Sequence, residues 1–124
     1  MSIFGKKYCK KGHKMDPSWD VCPVCITPIQ GWLVHFEEGL VNSVFEIHLG
    51  KNILGSGEDC EIRLLFDSIK RNHAIISAGD NICKIISQGG EGRLRVNNID
   101  ITNTELIDGD LISIGMKEFK YKSI

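Results

Sequence analysis

Four residues near the start of the chain have the types and spacing of a metal centre. The stretch reads Cys9-Lys10-Lys11-Gly12-His13 and, eight residues later, Cys22-Pro23-Val24-Cys25. Three thiolates and one imidazole fill the tetrahedral coordination that zinc takes in structural sites. A Cys-x-x-Cys turn aims two sulfurs at one ion, and Pro23 stiffens it. Cys9 and His13 form the opposing knuckle, with Gly12 permitting its tight bend. A catalytic zinc keeps one position open and usually has a carboxylate partner, whereas four good ligands within seventeen residues make a filled, structural site. One rival reading of Cys22 and Cys25 is a redox pair. That motif needs a long helix after it, and Pro28 and Gly31 follow too closely. Free thiols are the other alternative.

The cluster resembles a small zinc ribbon. A segment of about 25 residues cannot bury enough surface to fold alone, so bound metal would supply the missing stability. Tyr8 and Trp19 are expected to form its small apolar core, with exposure of Trp19 as the alternative. Lysines at 6, 7, 10, 11 and 14 surround the cluster. They suit contacts to RNA or DNA, or equally a solvated face beside an anionic metal centre. The gap between His13 and Cys22 shows no recognition helix, so nucleic acid is not the expected partner.

A second group of polar residues, Lys70-Arg71-Asn72-His73, follows a turn and precedes an apolar run. The elements on either side of it are strands. From Gly31 onward the chain runs in short alternating or apolar segments: 32–36, 44–49, 61–65, 73–77, 82–86, 93–96, 111–114 and 118–121. Gly, Asn and Asp punctuate them. Strands this short and regularly spaced indicate an all-β sandwich or barrel. Asn97-Asn98 suits a hairpin turn with positive φ, and Gly109-Asp110 marks another turn. Cys60 and Cys83 fall in or beside strand candidates and are expected to be buried, inert fillers.

Residues 1–30 carry five lysines against two aspartates, whereas residues 31–124 carry ten basic against fourteen acidic side chains. This change of sign suggests two modules, with bounds 1–30 and 31–124. The link around Pro28–Gly31 is short and lacks a Gly/Ser tract, which predicts a docked pair. The net charge of −1 gives no global field for nucleic acid or membrane. No apolar run approaches the roughly 18 residues of a membrane span. Met1–Lys7 lacks the apolar core of a signal peptide, so a cytoplasmic protein is expected.

Four pieces in order resemble the forkhead-associated (FHA) domain. They are Leu54-Gly55-Ser56-Gly57, Ser68-Ile69-Lys70-Arg71-Asn72-His73-Ala74, Val96-Asn97-Asn98, and Gly109-Asp110-Leu111-Ile112-Ser113-Ile114-Gly115. The resemblance covers about residues 32–122 and implies an antiparallel β-sandwich with binding loops at one end, here behind a zinc-ribbon-like module. The family's function is recognition of phosphothreonine peptides, without catalysis. Family scaffold positions survive as Gly55, His73, Asn97, Gly109 and Asp110, with His73 implied to orient the binding loop. The ligand-facing set becomes Ser56, Lys70, Arg71, Asn72, Gly92 and Arg93. Here serine replaces the arginine after Gly55, lysine replaces the phosphate-contacting serine, and Gly92 replaces the asparagine that holds the peptide backbone.

These changes define the expected function. The protein is a non-enzymatic adaptor that binds a protein or phosphoprotein, with phosphothreonine dependence weakened or lost. The alternatives are a working phosphothreonine reader that uses Lys70 and Arg71, and a nucleic-acid-binding ribbon carried by a structural sandwich. No nucleophile with an assigned base is legible.

Overall fold

The computed structural model describes residues 7–10, 12–79, 81–88 and 94–124, and for Cys25 the backbone alone. Two short strands, β1 (Lys7–Tyr8) and β2 (Lys14–Met15), pair as a hairpin, and the four-residue helix α1 (Pro23–Ile26) follows with Pro23 at its start. The remaining strands are β3 (Ile29–Glu37), β4 (Leu40–His48), β5 (Gly50–Gly55), β6 (Ile62–Arg63), β7 (Ala74–Gly79) and β8 (Ile82–Ser87). They continue with β9 (Leu94–Val96), β10 (Ile99–Asp100), β11 (Asn103–Glu105), β12 (Leu111–Ile114) and β13 (Lys117–Ser123).

Two sheets form the sandwich. One has the order β10-β9-β12-β13-β3-β4 and the other β11-β8-β7-β5-β6. Alternation within each strand sets the faces. In β12, Ile112 and Ile114 are fully buried while Leu111 is exposed; in β7, Ala74, Ile76 and Ala78 point inward. Leu33, Leu54, Ile85, Leu94 and Phe119 complete the centre of the core. Cys60 and Cys83 are buried, and burial pushes both thiols up from their ordinary range. No helix among the described residues is long and apolar enough to cross a membrane.

The expected antiparallel sandwich needs one correction: β5 and β6 pair in parallel, with Leu54 opposite Ile62 and Gly55 opposite Arg63. The turn after β5 carries the chain around to that strand's free side, and the Leu64 amide then donates to the Gly55 carbonyl at 2.7 Å. The expected strand over 61–65 therefore shrinks to two residues. β5, β10 and β11 lie outside the strands read from the sequence.

The Asn97–Asn98 turn joins β9 to β10, with φ of 52° and 67°. Asn97 Nδ2 donates to Asp110 Oδ1 at 3.0 Å, and the Leu111 amide donates to Asn97 Oδ1 at 3.0 Å. Gly109 turns with φ 91°, and Asp110 Oδ2 accepts the Ile107 amide. These residues tie two turns together.

The N-terminal segment lies against the sandwich. Thr27 and Pro28 supply backbone carbonyls to His48 Nδ1 at 2.6 Å and to the Leu49 amide at 2.8 Å. Tyr8 and Trp19 do not form the segment's core, because they are 38% and 43% exposed while Met15 and Cys22 are buried. A hairpin of two-residue strands provides no second layer to cover two aromatic rings.

Candidate ligand-binding end and metal cluster

β5 ends at Gly55 and β7 begins at Ala74, and these strands are antiparallel neighbours with Leu54 opposite Ala74. The pairing brings segments 55–57 and 70–73 together. The Ser56 amide donates to the Lys70 carbonyl at 3.0 Å, and the Gly57 amide donates to the Arg71 carbonyl at 3.1 Å. Gly55 is required by this approach, since a Cβ there would stand 2.2 Å from the Arg71 carbonyl oxygen. The aliphatic stem of Arg71 crosses Gly57, with Cγ 2.9 Å from where a Cβ would lie. Lys70, Arg71 and Asn72 are exposed, and Ser56 is half-buried.

His73 is buried at the junction of three segments. Its Nδ1 accepts the Lys70 amide at 3.1 Å, its own amide donates to Leu54, and its carbonyl accepts the Gln88 amide. An unprotonated Nδ1 is needed for the first of these bonds, which fixes the tautomer. Cys60 adds a further tie: its thiol donates to the Arg71 carbonyl at 3.1 Å. Gly92 and Arg93 lie outside the described residues.

Arg63 joins this end without having been anticipated. The parallel register sets it beside Gly55, and its Nε approaches the Ser56 carbonyl at 3.5 Å. The only hint in the sequence is the alternation of Ile62, Arg63 and Leu64, which turns Arg63 away from the core. Nearby carboxylates face elsewhere. Glu61 accepts the Ile53 amide at 2.8 Å, and Lys14 lies 3.3 Å from Asp59 and 3.8 Å from Glu58. The backbones of Lys70 and Arg71 and the side chain of Arg63 thus meet at residues 55–57.

In the N-terminal segment, β1 runs into a knuckle. The Cys9 amide donates to the His13 carbonyl at 3.0 Å, the Gly12 amide donates back to Cys9, and Gly12 has φ 88°. His13 Nδ1 lies 3.3 Å from Cys9 Sγ and 3.7 Å from Cys22 Sγ. These three donor atoms are all within 4.8 Å of one another. The fourth ligand expected from spacing, Cys25, has its side chain outside the described residues. Burial and then the neighbouring His48 ring lower the His13 pKa, while the Glu61 backbone opposes them. A neutral imidazole is the form that binds metal.

Comparison with known proteins identifies the sandwich. A 74-residue stretch is 28% identical to the FHA domain-containing protein FhaA of Mycobacterium tuberculosis; it is 60% of this chain and only 14% of that protein's length. The FhaA FHA domain, solved in complex with the intracellular domain of Rv3910, is 25% identical with a TM-score of 0.63, covering 74% of this chain and 99% of that one. A domain solved in a structural and functional analysis of phosphothreonine-dependent FHA domain interactions shares the fold. Its TM-score is 0.69 at 23% identity, over 77% of this chain and 97% of that one. The model of the FHA domain family matches residues 52–115, which include Ser56, Arg63, Lys70, Arg71 and His73 and exclude Cys9 to Cys25. With that match spanning half of its length, the chain belongs to the FHA domain family.

Proposed function

We propose that this chain is a non-enzymatic protein-interaction module with a degenerate phosphothreonine pocket. It grips a partner at the 55–57 and 70–72 end, and its dependence on phosphate is weak. The observation that carries this reading is Ser56, pinned through its amide to Lys70 where the family pattern has an arginine. A serine hydroxyl has neither the reach nor the bidentate fork of a guanidinium. Lys70, Arg71 and Arg63 keep the end cationic, so an acidic or phosphorylated segment is still favoured over a neutral one. The complex of the FhaA domain with a protein's intracellular domain supports a protein partner.

Titration with matched phosphothreonine and threonine peptide pools tests it. The expected preference for the phosphorylated pool is below about tenfold, or about 1.4 kcal/mol. A hundredfold preference abolished by Lys70→Ala would sink this reading and establish a working phosphothreonine reader. The nucleic-acid alternative finds less support, because Lys14 pairs with Glu58 and Asp59 and Lys7 donates to the Trp19 carbonyl.

We also infer that residues 1–30 form a zinc-ribbon-like module around one structural zinc, held by Cys9, His13, Cys22 and Cys25, beside the sandwich of residues 31–124. The donor set is the support: two thiols and an imidazole nitrogen within 4.8 Å on a knuckle. The proposed setting is the cytoplasm, where thiols stay reduced and available to metal. Native mass spectrometry should find one zinc per chain, lost in Cys22→Ser. A wild-type mass without metal under non-chelating conditions rules the centre out.

A further inference from the structure

We propose that the metal centre is a clamp: through His13 and Lys14 it holds the 57–61 turn, which carries one side of the ligand-binding end. The proposal rests on both readings above and adds a task for the metal. His13 Nδ1 faces the two thiols, which leaves Nε2 on the other side of the ring, and His13 lines one cavity with Cys60 and Glu61. Metal-binding histidines commonly donate from their second nitrogen to a neighbouring acceptor, which fixes the ring. The residues facing the ring here belong to the sandwich and not to the ribbon. The next residue, Lys14, pairs with Asp59 at 3.3 Å and Glu58 at 3.8 Å. Two consecutive knuckle residues thus face one turn, and Lys14 holds two positions of it.

That turn continues directly into the binding end. Gly57 and Cys60 both donate to the Arg71 carbonyl, at 3.1 Å each. Glu61 accepts the Ile53 amide, and Arg63 reaches the Ser56 carbonyl. Beneath the knuckle, the buried His48 ring meets His13 edge-on at 6.3 Å between centroids and is itself held by Thr27. A metal that fixes the His13–Lys14 knuckle therefore restrains the turn at Glu58 and Asp59, and through Cys60 the Arg71 carbonyl. Without the ion, a knuckle this small has no core to keep its shape.

His13→Cys separates the clamp from the metal, because it offers zinc four sulfurs but removes the ring. Native mass spectrometry reports the zinc, and amide hydrogen exchange reports the turn. In zinc-loaded His13→Cys, protection of residues 56–62 should fall by about tenfold relative to wild type, with β12 and β13 unchanged. Chelated wild type and Lys14→Glu should shift the same amides in the same direction. Unchanged protection at 56–62 in both chelated wild type and zinc-loaded His13→Cys overturns the clamp. Absence of zinc from the wild type overturns the metal reading and the clamp with it. Loss of protection together with no binding of either peptide pool supports the clamp and counts against the proposed binding function instead.

Discussion

Ser56→Arg is expected to tighten binding of a phosphothreonine peptide by about 10- to 100-fold and to leave the unphosphorylated peptide nearly unaffected. Ser56 is half-buried, with its amide fixed to Lys70 and its carbonyl facing Arg63. An arginine side chain from this backbone would start next to both remaining loop cations. It would return two parallel N–H donors, and hydrogen bonds to charged groups contribute about 1.5–3 kcal/mol. That range corresponds to roughly one to two powers of ten in affinity. Crowding of Arg63, Lys70 and Arg71 opposes the gain in the free protein, but a doubly charged phosphate relieves that repulsion in the complex. Fluorescence anisotropy with matched peptides measures both effects. A change of less than about twofold for the phosphorylated peptide would show that the missing guanidinium is not what limits phosphate capture.

Gly55→Ala is expected to destabilise the fold by about 3 kcal/mol, since overpacking costs about 1–3 kcal/mol and a lost backbone hydrogen bond about 1 kcal/mol more. The added carbon would meet the Arg71 carbonyl oxygen at 2.2 Å and that of Lys70 at 2.8 Å. Both contacts are with backbone, so no side chain can swing aside. To relieve them, 55–57 must part from 70–71, which breaks the bonds made by the Ser56 and Gly57 amides. The midpoint of thermal unfolding should drop by about 10 °C in a domain of this size. Peptide binding should fall as well, because the same bonds align Ser56 with Lys70. A midpoint within about 2 °C of wild type would show that the two segments can separate without penalty.

What the sequence reveals depends on how locally each feature is encoded. β12 is legible to the residue, because Gly109-Asp110 marks its start and Leu111 to Ile114 alternate cleanly. The Cys9, His13 and Cys22 grouping is equally local, since a knuckle and a turn need only short spacings. β5 is hidden for the opposite reason. Its Lys51-Asn52 start looks like loop, yet Asn52 is buried and exchanges hydrogen bonds with the His48 backbone and the Ile76 carbonyl. Such partners become visible only once the strands are side by side. β10 and β11 are edge strands of two and three residues, too short and too exposed to show a period. Arg63 was missed because its place beside Ser56 comes from the parallel β5–β6 contact, which no turn signal announces. The aromatic pair misled in the other direction: Tyr8 and Trp19 looked like core because of their rings, yet Met15 and Cys22 are the buried residues.

Strand β13 occupies an interior place in its sheet, between β12 and β3. Its partners on one side are the nearest in sequence, and on the other the farthest: Phe36 pairs with Glu118 and Gly31 with Ser123. The family match stops at Gly115, before this strand begins. A chain cut after Gly115 would therefore lack the strip that joins two halves of one sheet, and with it the fully buried Phe119. During synthesis, the β3–β4 hairpin is complete at His48 but keeps one edge open until β13 begins at Lys117. Such late closure makes folding slow and leaves an apolar ribbon uncovered in the meantime.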